Sequence, residues 1–85
     1  MKIHSIYDNG GETADRYTVY YSGRGTVRHT VDGTMRFCVC MNAAPFHPQG
    51  IGQHGEGMPG RHNGRKISWA DLPKDCQRVV EQDLA

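Results

Sequence analysis

No segment of this chain approaches the ~20 consecutive apolar residues that a membrane-spanning helix needs. Its first residues, MKIHSIYDNGG, carry one lysine and no apolar stretch of signal-peptide length. A cytoplasmic protein is the expectation. Charge of one sign is missing too: ten Lys and Arg stand against nine Asp and Glu, for a formal charge of +1. That near-neutrality argues against a domain whose main work is neutralising phosphates, so nucleic acid is allowed as a partner but not indicated. Cysteine is sparse and odd in number, with Cys38, Cys40 and Cys76. A secreted disulfide framework is therefore not expected, and the three read as reduced thiols. Apolar residues are 36% of the total, below the usual share for a globular chain, and the balanced charges still set it apart from disordered sequences. Eighty-five residues suffice for one domain, 1–85, with a small core and modest stability.

What is present is mostly strand pattern. Lys2–Tyr7 predicts a first strand, and Asp8-Asn9-Gly10-Gly11 is the strongest turn signal, because Asn and Gly tolerate positive φ. Arg16–Ser22 is rich in β-branched and aromatic residues, with Tyr17, Val19 and Tyr21 on one face. Ser22-Gly23-Arg24-Gly25 forms the next turn, Thr26–Val31 alternates weakly, and Asp32-Gly33 marks a hairpin. In Thr34–Met41 the side chains of Met35, Phe37, Val39 and Met41 share a face opposite Arg36, Cys38 and Cys40. The expected sheet spans 2–41 as an antiparallel meander of three to four strands. From 42 to 65 the pattern breaks: Pro45, Pro48 and Pro59, with six glycines between Gly50 and Gly64, predict a long loop with no regular element. Lys66–Trp69 reads as a short strand or extended lead-in. Leu72-Pro73 then opens a helix whose Cys76, Val79, Val80 and Leu84 recur at helical spacing. The fold class is α+β: a small antiparallel sheet, a long Gly/Pro loop, and a C-terminal helix packed on the sheet.

Several constellations invite chemistry. Cys38-x-Cys40 with His47, His54, His62 and Cys76 supplies enough ligand types for zinc, but the spacing matches no paired knuckle, and Cys76 belongs to the apolar helix face. A Cys–His nucleophile has no local signature around either strand cysteine. Gly50-Ile51-Gly52-x-x-Gly55 satisfies a dinucleotide fingerprint in letters only, since the required strand and helix do not flank it. No metal and no cofactor are expected. Asp15-Arg16 sits where the first turn meets the second strand and reads as a charged pair, with each other or with neighbouring strands. Its functional alternative is a polar patch of Asp8, Asp15, Arg16, Gln53 and His62.

The residues Tyr7-Asp8-Asn9-Gly10-Gly11 and Thr13-x-Asp15-Arg16-Tyr17-Thr18-Val19 resemble the opening of a group of short proteins encoded by phages, prophages and plasmids, which share a YDNGG-x-T-x-DRYTV motif. The similarity extends to Pro48-Gln49-Gly50-x-x-Gln53, to His62-x-Gly64-Arg65-Lys66-Ile67 and to Leu72-Pro73. Residues 23–36 match least. The resemblance implies an origin and no reaction, and its pattern does not include the three cysteines. Three functions follow as expectations. The first is a non-enzymatic protein of a mobile element that binds and modulates a host macromolecule, for example a defence protein such as a CRISPR-Cas component. Its surface would be the loop with Arg61, His62, Arg65 and Lys66, beside the first hairpin, with exposed Tyr20 as an aromatic anchor. The second is a small-ligand or catalytic site built from Asp8, Asp15, Arg16, Gln53 and His62, which requires that those side chains converge. The third, weaker, is single-stranded nucleic-acid binding by Tyr17, Tyr20 and Tyr21 with Arg16, Arg24, Arg28 and Arg36. Edge pairing into a homodimer is a further association open to a small sheet.

Overall fold

The computed structural model describes residues 1–85. Strands β1 (Lys2–Asp8), β2 (Tyr17–Ser22), β3 (Val27–Thr30), β4 (Gly33–Met41), β5 (Gly52–Gly57) and β6 (Arg65–Lys66) precede helix α1 (Lys74–Leu84), with 3-10 turns at Arg61–Asn63 and Trp69–Asp71. All strand pairs are antiparallel, in one curled six-stranded sheet ordered β3-β4-β2-β1-β6, with β5 also paired to β4. The α+β class is as expected. The strand number is not, and the reason lies in β4. Its nine residues are long enough to serve three partners: 33–36 pair with β3, 38–41 with β2, and 36–41 with β5. Because β2 and β5 share residues 38–41 of β4, they lie on its opposite edges.

The second correction concerns 42–65, which is not a structureless loop. The three prolines fall outside Gly52–Gly57, so they bound β5 rather than interrupt it. Its glycines at 52, 55 and 57 weaken the intrinsic propensity, but ladder bonds to β4 hold the segment as an exposed edge strand. Sheet therefore extends well beyond residue 41.

Alternation along the strands gives the sheet two faces. One carries the row Ile6–Val19–Val39 and the pair Tyr17–Met41. A register shift at His4, between the pairs Ile3–Tyr21 and Ser5–Tyr20, brings Ile3 onto this same face. Helix α1 covers it with Cys76, Val79 and Val80, and Leu72 seals the helix entrance at 2% exposure. Each such side chain, fully buried, contributes roughly 1.5–3 kcal/mol. Leu84 lies at the C-terminal end of the stripe, 38% exposed. The Cys76 thiol donates to the Asn42 carbonyl at 3.1 Å, and burial pushes its pKa up to about 11. It is a core residue, as its spacing implies.

The other face carries Ser5, Tyr7, Thr18, Tyr20, Cys38 and Cys40. It is covered in part by residues 58–64, which cross from β5 at one edge to β6 at the other. The Tyr20 hydroxyl donates to Asn63 Oδ1 at 2.7 Å, while Asn63 Nδ2 donates to the carbonyls of Met58 and Gly60 at 2.9 and 3.1 Å. Two glycines make this crossing fit. A Cβ on Gly57 would stand 2.8 Å from the Tyr20 hydroxyl, and one on Gly64, at φ +104°, would collide with the backbone of Asp8 and Asn9. No helix is long and apolar enough to cross a membrane.

Candidate functional site

The β1–β2 connection is fixed by its own side chains. Gly10 and Gly11 take φ +76° and +89°, which frees Asp8 and Asn9 to accept from backbone amides two and three residues on. Gly10 N–H donates to Asp8 Oδ1 at 2.7 Å, and Gly11 and Glu12 N–H donate to Asn9 Oδ1 at 2.9 and 3.1 Å. Asn9 Nδ2 then donates to Thr13 Oγ1, and the Thr13 hydroxyl donates to Asp15 Oδ1 at 2.6 Å. The result is a preformed wall of polar groups standing above the second face of the sheet.

Between that wall and the 3-10 turn at Arg61–Asn63 lies an open cleft of about 310 Å³. Its floor is Thr18, Tyr20, Cys38 and Cys40; Glu12 and Asp15 belong to one side, His62 and Asn63 to the other. Tyr20 contributes a neutral hydroxyl, because burial, aided by the neighbouring thiols, pushes its pKa up to about 12. The two strand thiols differ. Cys38 is 4% exposed and packs with Tyr7 and Tyr20, whereas Cys40 is half-buried at the cleft floor. The neighbouring Cys38 thiol, and then the Thr18 hydroxyl, which donates toward Cys40 Sγ at 3.7 Å, lower the Cys40 pKa against the opposing effects of burial and the Asp15 carboxylate. The neighbouring Cys40, together with burial, pushes Cys38 up. Cys40 is thus the thiol that ionises first. No three His, Cys, Asp or Glu side chains are grouped to hold a metal ion.

The five residues of the expected polar patch do not meet. Asp15 and His62 face each other across the cleft, but Asp8 and Arg16 are bound to one another: Arg16 Nε donates to Asp8 Oδ1 at 2.7 Å and its terminal nitrogen to Oδ2 at 3.0 Å. Of the two pairings open to Asp15-Arg16, it is the one with a neighbouring strand that forms: Arg16 bonds Asp8 of β1, and not Asp15. Antiparallel pairing sets Asp8 opposite Tyr17, which brings residue 16 alongside, while Asp15 turns to Thr13. The Arg16 bond, with help from the Gly10 amide, holds the Asp8 carboxyl below the usual carboxylate range despite burial. Gln53 lies on exposed β5, opposite Cys40. Tyr20 is the other correction: at 3% exposure it is not a surface anchor but the post on which the crossing chain rests. Tyr17 and Tyr21 are buried as well, at 7% and 0%, so the three tyrosines present no stacking platform for bases.

Arg61, His62, Arg65 and Lys66 are exposed, as expected. Arg61, Arg65 and Lys66 have no carboxylate within 4 Å; the Arg–carboxylate pairs are Asp8–Arg16, Arg28–Glu56 and Asp75–Arg78, and His54 is hydrogen-bonded to Asp83. The Lys66 charge is felt at His4, whose pKa is lowered by burial and then by Arg36 and Lys66. The second face is thus divided by charge, basic toward β6 and Arg36, acidic at Glu12 and Asp15. Sequence reasoning missed the cleft floor. The signal was present, since Cys38 and Cys40 alternate onto the face opposite the core, but only the crossing of 58–64 turns that face into a cavity. No family model matches the chain, and no curated protein and no solved structure is significantly similar to it.

Proposed function

We propose that this chain is a small non-enzymatic binding protein of mobile-element origin that docks on an acidic surface of a host protein and modulates it. The observation that carries this reading is the basic margin of Arg61, Arg65 and Lys66, exposed and unpaired in a protein of formal charge +1. Such a margin steers association with an oppositely charged surface and costs little stability in the free protein. The geometry around it is fixed: β6 is paired to β1, and the crossing chain is pinned through Asn63. A docking face of ~800 Å² fits within its 5426 Å² of surface. The origin rests on the resemblance of the first hairpin, and nothing in the reading requires a reaction.

Affinity capture from the host, with mass spectrometry and cross-linking, tests it. The expected result is one host protein, held by the native chain, released by salt, lost with the Arg61→Glu, Arg65→Glu, Lys66→Glu variant, and cross-linked through an acidic surface. Capture that survives charge reversal, or that nuclease abolishes, overturns it. The outer edge of β5, which pairs with no strand but β4, supports homodimerisation by edge pairing as a separate association. Light scattering would then give twice the chain mass, and Gln53→Pro would restore the monomer.

A further inference from the structure

We propose that the cleft is a covalent thiolation site, in which Cys40 exchanges with a small disulfide that carries positive charge. Three features of the cavity converge on this. First, the reactive atom is presented: Cys40 Sγ lies at the floor of an open space of about 310 Å³, room for the volume of roughly ten waters and so for a cysteamine-sized group. Second, the neighbours favour the thiolate: the Thr18 hydroxyl donates toward Cys40 Sγ at 3.7 Å, and the Cys38 thiol stands beside it on the same face. Third, the cleft selects by charge. Glu12, Asp15 and Glu56 line it, Glu56 being paired with Arg28, and Arg16 is withdrawn by its bond to Asp8, so that no Lys or Arg side chain lines the cleft.

The step balances without an external oxidant. The Cys40 thiolate attacks one sulfur of the disulfide; one S–S bond forms as the other breaks, and the departing thiolate takes a proton from water. A second exchange, in which Cys38 would expel the bound group, is disfavoured because Cys38 is 4% exposed and packed with Tyr7 and Tyr20. The adduct therefore stops at one group per chain. This site is independent of the basic margin and would stand if that reading failed.

The test is exchange with two symmetric disulfides of similar size and opposite charge, cystamine and 3,3′-dithiodipropionate, followed by intact mass and peptide mapping. The native chain should take one cysteamine, mapped to Cys40. The ratio of cystamine to dithiodipropionate rates should exceed that of the urea-unfolded chain by roughly fivefold or more at low salt. Asp15→Asn should lower the ratio, and Cys40→Ser should abolish the adduct while the circular dichroism spectrum is kept. Mapping on the native chain does not depend on any variant folding. First modification at Cys38 or Cys76, no adduct on the folded chain, or a rate ratio equal to that of the unfolded chain would overturn the proposal.

Discussion

Val19, Val39 and Met41 lie under α1 with no exposed surface, whereas one step along the same strands Thr18, Tyr20, Cys38 and Cys40 face a polar cleft. The backbone is shared, yet the two faces are held by different physics. Under the helix the binding is by area: nine apolar or aromatic side chains exclude water together, and the attraction has no preferred direction. On the other face it is by direction: the Tyr20–Asn63 bond, the Asn63 amide on two carbonyls, and two glycines that let backbone pass close. Volume changes should therefore damage the first face, and geometric changes the second.

The largest effect is expected from Leu72→Ala, which opens a cavity where the chain enters α1. Loss of about 2–5 kcal/mol is expected, read as a shift of the urea midpoint with little change in slope. For a small domain with modest reserve, that is a large part of its stability. Gly64→Ala should come next. It buries no less apolar area, but it forces an L-residue to φ +104° and pushes a methyl into the Asp8 backbone. A cost of about 1–3 kcal/mol from backbone strain is expected, accompanied by faster hydrogen exchange at Asn63 and Gly64 and an unaltered core. Should Gly64→Ala prove neutral, the directional account of the second face fails.

Most of this division was legible in the residues. Period-2 alternation in Arg16–Ser22 and Thr34–Met41, and helical spacing at Cys76, Val79 and Val80, named the apolar face correctly, because burial leaves its mark on every second or third letter. The second face was not legible, for two physical reasons. Its cover comes from 58–64, a stretch of Gly and Pro whose placement follows from β5 and β6 pairing, and both strands carry weak propensity that long-range ladders override. Its polar contacts also join residues far apart in sequence, such as Tyr20 with Asn63. That bond turned a tyrosine expected at the surface into a buried post. The hairpin motif was half legible: the Asp-Asn-Gly-Gly turn was plain, while the choice of Asp8 rather than Asp15 by Arg16 needed the strand register.

Two tyrosine-to-phenylalanine changes sharpen the comparison at smaller scale. Tyr21 donates to Asp83 Oδ2 at 2.5 Å, and Asp83 also holds His54 Nε2 at 2.9 Å, with His54 stacked on Phe37 at 5.4 Å. Tyr20 donates to Asn63. Each removal is expected to cost about 1 kcal/mol. The consequences should separate by face: Tyr21→Phe loosens the C-terminal turn of α1 against β2, and Tyr20→Phe loosens the crossing chain. Amide exchange resolves the two patterns. Identical patterns would mean that the faces unfold as one cooperative unit.

The smallest effect, and the most informative about charge, is expected from Arg16→Ala. The Asp8 carboxyl it leaves is almost fully buried, but the Arg16 side chain is 43% exposed, so solvent screens the pair. The sign follows from linkage. Arg16, then the Gly10 amide, holds the folded Asp8 pKa below its ordinary value of about 3.9, against the effect of burial. The ionised carboxylate therefore stabilises the fold above that value, and the contribution fades as pH falls through the lowered folded pKa. Native protein should be more stable than Arg16→Ala at pH 7, and the gap should narrow below about pH 4 and in high salt. A gap that stays constant from pH 7 to pH 2 would assign the role of Arg16 to its packing over the Tyr17 ring, 5.2 Å away. The hairpin would then be held by area, as the helix face is, rather than by the direction of a charged bond.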